Sequence, residues 1–160
     1  MSIFLNIFIK SIAIFVSILT IIILIILLLG FFQDKNSNYS VIYGDENSSN
    51  IIAVYELNGL IVETSTELAN LIDPFIISPF NTNKNLENLK KISPKVIIFS
   101  INSPGGTVSA SNKIYDIIKN YKKNNNIKIL VHTNELLASG GYWVATAADE
   151  IYASYGSIIG

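Results

Sequence analysis

The chain has 160 residues, half of them apolar, a formal net charge of −1, one histidine and no cysteine. These numbers exclude disulfides, thiolate metal sites and a cysteine nucleophile, and they leave little from which to build any metal centre. All eleven cations are lysine, so nothing resembles the clustered Lys and Arg that nucleic acid requires, and no nucleic-acid partner is expected.

Residues 11–32 carry no charge and are mostly Ile, Leu, Val and Phe. As a helix they would rise about 33 Å, enough to cross a hydrocarbon core of roughly 30 Å. A cleaved signal peptide would show a shorter apolar stretch and a small-x-small cleavage site. Here Leu27-Leu28-Leu29-Gly30-Phe31-Phe32 offers none, so residues 1–32 are expected to be an uncleaved transmembrane signal anchor, with residues 11–32 as the membrane contact. Lys10 on one flank against Asp34 and Lys35 on the other leans toward an inside N-terminus. Residues 33–50, rich in Asn, Ser, Asp and Gly, read as a flexible linker.

Residues 51–160 are expected to form one domain. Residues 51–57 are β-rich and stop at Asn58-Gly59, a turn signal, and residues 60–62 extend the pairing. Thr66 to Ile72 has the pattern of a short helix closed by Asp73-Pro74. Leu86, Leu89 and Ile92 are at helical spacing. Residues 96–101 form a nearly continuous apolar run, expected for a strand covered on both faces. Val108, Ala110, Ile114, Ile117, Ile118 and Tyr121 mark one face of a helix that Asn124-Asn125-Asn126 ends. Lys119, Lys122 and Lys123 read as its solvated end. A strand at 127–132, a helix over 139–148 and a strand at 151–153 complete the series. Strands alternating with helices predict an α/β fold with a mainly parallel sheet, in which chemistry collects at the carboxyl ends of the strands.

Two glycine motifs fall at those ends. Asn102-Ser103-Pro104-Gly105-Gly106 reads as a turn between strand and helix, and Ala138-Ser139-Gly140-Gly141-Tyr142 opens a helix. A serine nucleophile needs donors for the oxyanion it creates and a base for its proton. Ser139 supplies the oxygen, the Gly140 N–H follows it at the helix start, and the other motif supplies a second N–H, assigned to Gly106 over Gly105. The alternative reading makes Ser139 an ordinary N-cap. His132 is the nearest candidate base by position, although nothing in the spacing brings it to Ser139. Asp149 and Glu150 would lie about 15 Å from Ser139 along a helix, too far for a triad. Tyr142 and Trp143 read as core or pocket wall. No residue pattern calls for a cofactor or a metal.

The two motifs, with Gly156-Ser157-Ile158-Ile159-Gly160 as the start of a third, resemble the signal peptide peptidase A family, membrane-anchored serine proteases of the Clp protease and crotonase superfamily. The resemblance covers residues 51–160. It implies repeated β-β-α units with a mainly parallel sheet, here incomplete and preceded by one N-terminal transmembrane helix. It also implies Ser139 as nucleophile, Gly106 and Gly140 as oxyanion hole, and a lysine downstream of the serine as general base. No lysine follows Ser139, since the last is Lys128. The chain is therefore expected to be the N-terminal part of such a protease, with its base downstream of Gly160. The family further implies homo-oligomeric rings, peptide substrates such as spent signal peptides, and single-pass anchoring in a bacterial inner membrane with the peptidase domain outside the cytoplasm. Two other classes stand beside it: a non-catalytic membrane-anchored peptide-binding or scaffolding protein of the same fold, and an acyl-CoA enzyme using the same oxyanion geometry.

Overall fold

The computed structural model describes residues 2–32, 39–45, 47–64 and 75–160. The chain divides into two units, Met1–Tyr43 and Gly44–Gly160. The first contains helix α1 (Ser2–Phe32). It starts earlier than the expected span because residues 3–9 are nearly as apolar as residues 11–32. Its segment Ile3–Ile26 is long and apolar enough to cross a membrane. Within it, Ser17 Oγ donates to Ala13 O at 2.7 Å and Thr20 Oγ1 to Ser17 O at 2.8 Å. Both hydroxyls are thus satisfied inside the helix, as a hydrocarbon environment demands. Residues 39–45 and 47–50 of the expected linker carry no helix or strand and are exposed. The expected helix over Thr66 to Ile72 lies outside the described residues.

The second unit is built on β1 (Ile52–Ile61), β2 (Ile76–Ile77), β3 (Val96–Gly106), β4 (Lys128–Thr133) and β6 (Glu150–Ala153), all parallel, in the order β2-β1-β3-β4-β6. Two further short strands, β5 (Leu136–Leu137) and β7 (Ile158–Ile159), pair in parallel with each other, and β5 also touches β3 through Ser103↔Leu137. Helices α2 (Pro79–Lys90), α3 (Val108–Asn125) and α4 (Gly140–Ala145) complete the unit. This is the expected α/β architecture with a parallel sheet.

Local chemistry explains most element boundaries. α2 begins well before Leu86 because Ser78 Oγ accepts from Asn81 N and Pro79 occupies the first turn, where a missing N–H costs nothing. α3 starts after Thr107, whose hydroxyl caps Ala110 N, and ends at Asn126 in the left-handed conformation. The face it buries is Ala110, Ser111, Ile114, Ile118 and Tyr121. Its apolar members meet Ile97, Phe99, Ile101, Ile129 and Val131 of the sheet in one core. Val108, expected on that face, is instead 70% exposed.

Three expectations change. Asn58-Gly59 is not a turn: β1 runs through it with a register shift between Asn58 and Leu60, and Gly59 sits at φ 103° with its Cα against the Phe75 carbonyl. An Asn-Gly pair signals positive φ, which a β-bulge uses as readily as a turn. Residues 102–106 are likewise the end of β3 rather than a turn, with Gly105 and Gly106 opposite Leu60 and Ile61. Finally, β3 is not covered on both faces: its residues alternate between buried and part-buried along 96–103, so one face packs on the helices and the other is only partly shielded.

Asp149 links the start of β4 to the end of α3. Its carboxylate accepts from Ile129 N at 2.9 Å and from Lys122 Nζ at 3.1 Å. The backbone bond from Ile129, with Lys122 beside it, holds this carboxyl below the usual range. A depressed folded-state pKa adds stability that is present above the unfolded value, about 3.9, and is lost as pH falls through the folded value. Asp149→Asn is therefore expected to flatten the acid limb of the stability curve below about pH 4. Parallel pH–melting curves for the two proteins check this, and an unchanged acid limb refutes it.

Candidate active site

The carboxyl ends of β1 and β3 and the start of α4 converge on Ser139. Its backbone stands at φ 51°, ψ −122°, a region that costs a serine about 1–3 kcal/mol and persists only where the surroundings impose it. The side chain makes no capping hydrogen bond and the residue is exposed. The N-cap reading of Ser139 therefore fails: it occupies the cap position without doing the cap's work. The strain is held from three sides. Ser139 N donates to Gly160 O, Trp143 N donates to Ser139 O, and Gly141 N turns back to Ala138 O.

Glycines bring the two motifs into contact. A Cβ on Gly105 would lie 2.7 Å from Gly140 N and 2.8 Å from Ser139 Cβ, so the serine rests directly on the Gly105 backbone. Gly105 also needs its φ of 97°, which few other residues tolerate. Thr107 N donates to Ile61 O, and Ile61 is the ladder partner of Gly106. By the alternation of a parallel ladder, the Gly106 N–H then points away from β1, toward Gly140. A Cβ on Gly140 would stand 3.3 Å from Gly106 N. No described acceptor takes the Gly140 N–H. The backbone nitrogens of Gly106 and Gly140 thus lie close to one another beside Ser139.

His132 is not brought to that space. It lies opposite Ser100 and Tyr152 in the sheet, and its Nε2 meets Ser154 Oγ at 3.3 Å. Asp149 serves Ile129 and Lys122 instead. α4 is six residues long rather than running to 148, and it buries Gly140, Gly141, Val144 and Ala145, which leaves Tyr142 and Trp143 exposed instead of in the core. No group of His, Cys, Asp or Glu able to hold a metal occurs among the described residues.

Sequence reasoning passed over the first two residues of the glycine motif. Ser103, fully buried, donates to Gly59 O at 2.7 Å and accepts from Gly105 N at 3.0 Å, tying Gly59 of β1 to the glycine under Ser139. Asn102 Oδ1 accepts from Thr133 Oγ1, Asn134 N and Glu135 N. The available signal was two polar side chains interrupting an apolar strand.

Comparison with known proteins bears on the family and the fold. The profile described as Peptidase family S49 matches residues 121–160. Protease 4 of Haemophilus influenzae is 32% identical over 114 residues, 71% of this chain and 18% of its own length. A putative signal peptide peptidase SppA of Enterococcus faecium is 32% identical over 115 residues, 69% of this chain and 32% of its own length. The chain belongs to peptidase family S49. A 70-residue stretch is also 44% identical to a protein of Brucella melitensis named Na(+)/H(+) antiporter NhaA, covering 44% of this chain and 9% of that protein. So small a share shows a common segment and carries no transport function to the S49 chain. A solved structure of a mutant 1510-N membrane-bound stomatin-specific protease superposes with a TM-score of 0.52 at 19% identity, over 71% of this chain and 48% of that one, which shows the fold. The S49 chain spans between 9% and 32% of the lengths of the three named relatives.

Proposed function

We propose that this S49 chain carries the nucleophile and oxyanion hole of a serine peptidase that cleaves membrane-associated peptides, spent signal peptides among them. One observation carries the reading: Ser139 is strained, uncapped and exposed beside two glycine N–H groups. Strain of this kind marks sites where geometry is held for chemistry. Ser139 Oγ attacks the peptide carbonyl as its proton passes to a base. The Gly106 and Gly140 N–H groups stabilise the oxyanion, the amine leaves with the proton, and water then releases the acyl group. The base is a lysine brought to Ser139 in the assembled enzyme. Such a lysine must be desolvated to be neutral near pH 7; the lysines of α3 are solvated, and ion-paired ones such as Lys113 with Glu63 do not qualify. Val108, Tyr142 and Trp143, all exposed and within four residues of Gly106 or Ser139, suit apolar substrate side chains. Helix α1 anchors the protein in a bacterial inner membrane by a single pass, with the peptidase domain on the extracytoplasmic side.

The test is labelling of the membrane-embedded protein by a fluorophosphonate. Labelling is expected to disappear in Ser139→Ala and in Ser139→Gly. The two variants are expected to differ in stability. Glycine accepts the Ser139 backbone angles, so relief of roughly 1–3 kcal/mol exceeds its entropic cost of roughly 0.5–1 kcal/mol, and Ser139→Gly should melt above wild type while Ser139→Ala does not. Label retained in Ser139→Ala would end the proposal.

A further inference from the structure

We infer that Asn102 is the positioning residue of this site, setting the place of Ser139 through the loop between β4 and β5. The inference rests on the reading of Ser139 as nucleophile. β3 changes neighbour at Asn102: Ser100 is still opposite His132 of β4, whereas Ser103 is already opposite Leu137 of β5. Between those rungs the ladder on that side is interrupted, and the loop N–H groups of Asn134 and Glu135 have no backbone acceptor there. The Asn102 carboxamide supplies one. Its Oδ1 takes Thr133 Oγ1 at 3.1 Å, Asn134 N at 3.3 Å and Glu135 N at 3.1 Å. Two of these donors are backbone N–H groups, which settles that the oxygen and not the nitrogen of the amide faces the loop.

From that anchor the order propagates in short steps. Glu135 O accepts from Ile158 N, Leu137 O accepts from Gly160 N, and Gly160 O accepts from Ser139 N. β5 has only two residues and touches β3 at one rung, with one further bond from Ala138 N to Ser103 O, so the loop before it must also be held for the serine to keep its register. The side chain that holds the loop holds the nucleophile. What is required of residue 102 is an acceptor: among the described residues the amide nitrogen has no partner, so a carboxylate fits the position and a hydrocarbon of similar size does not.

The experiment is hydrogen exchange on the full chain in detergent micelles, comparing wild type with Asn102→Leu and Asn102→Asp, alongside the fluorophosphonate labelling rate. In Asn102→Leu the amides of residues 134–139 are expected to exchange about tenfold faster or more, with those of residues 114–118 and 129–131 unchanged. Asn102→Asp is expected to restore exchange to within about threefold of wild type, and labelling is expected to fall with Leu and recover with Asp. Unchanged exchange at 134–139 in Asn102→Leu overturns the inference. So does loosening of α3 and β4 to the same degree, which would make Asn102 a support of the whole domain. Exchange that fails to recover with Asp overturns it as well. Exchange that follows the expected pattern while no variant, wild type included, labels at Ser139 upholds the positioning and leaves Ser139 without the reactivity that the proposed function requires.

Discussion

Gly106→Ala should cost this protein both its stability and its chemistry. A Cβ at Gly106 would lie 1.8 Å from the Ile61 carbonyl oxygen and 2.6 Å from its carbon. Backbone is in the way, not a side chain that can rotate, so β1 and β3 must part at the rung that carries the site. Overpacking costs about 1–3 kcal/mol and sometimes more, and a clash with a paired strand belongs at the upper end. The melting temperature is expected to drop by on the order of 10 °C or more. Phosphonate labelling should vanish, because the Gly106 N–H leaves its position with the strand. Gly156→Ala is the control: its φ is also positive, at 89°, but an added Cβ meets nothing within 4 Å. Equal melting temperatures for Gly106→Ala and Gly156→Ala would contradict the packing argument.

Gly140→Ala should separate stability from activity. Its Cβ would fall 2.2 Å from Ser111 Oγ and 3.2 Å from Ser111 Cβ. Ser111 is fully buried, and its hydroxyl donates to Thr107 O at 2.9 Å, so the oxygen yields only by giving up that bond. A loss of roughly 1–3 kcal/mol is expected. Adding Ser111→Ala removes the closest atom and should recover most of it, with a coupling of about 1 kcal/mol or more in a double-mutant cycle. Activity is not expected to return with stability. The new methyl still stands 3.3 Å from Gly106 N, crowding the space between the two N–H groups proposed to hold the oxyanion. A double variant that regains both stability and labelling would show that this space is not the oxyanion hole; one that regains neither would show that Ser111 is not the obstacle.

Much of the fold was legible because it is written in local periodicity. The apolar runs at 96–101 and 127–132 and the 3.6-residue pattern from Ala110 to Tyr121 each encode one element without reference to the rest of the chain. What was not legible depends on partners. Ile76–Ile77, Leu136–Leu137 and Ile158–Ile159 are strands only because each lies beside another strand, and two residues have no period. Gly59 and Gly105 were visible as positions of unusual backbone, but bulge and turn ask for the same residue, and only the ladder tells them apart. The site shows the same division. Ser139 could be singled out as a serine before two glycines, whereas its φ of 51° and the missing cap bond are properties of the assembled surroundings. The role of Asn102 depends on a loop 31 to 33 positions away, a distance at which sequence pattern says nothing.

The hydrogen bond from Ser139 N to Gly160 O gives the site a place in time. On a ribosome, β1, β3 and α3 emerge first, and their parallel pairing is slow because each rung closes a long loop. β1, β3 and α3 are free to pair while the segment that pins the serine, together with Leu137, Val144 and Ala145 of the core, is still inside the exit tunnel. Only when residue 160 arrives can β7 lie against β5 and hold Ser139 at its costly angles. The hydroxyl is thus set last. A chain caught midway through synthesis presents Ser139 without the bond to Gly160 that fixes its backbone.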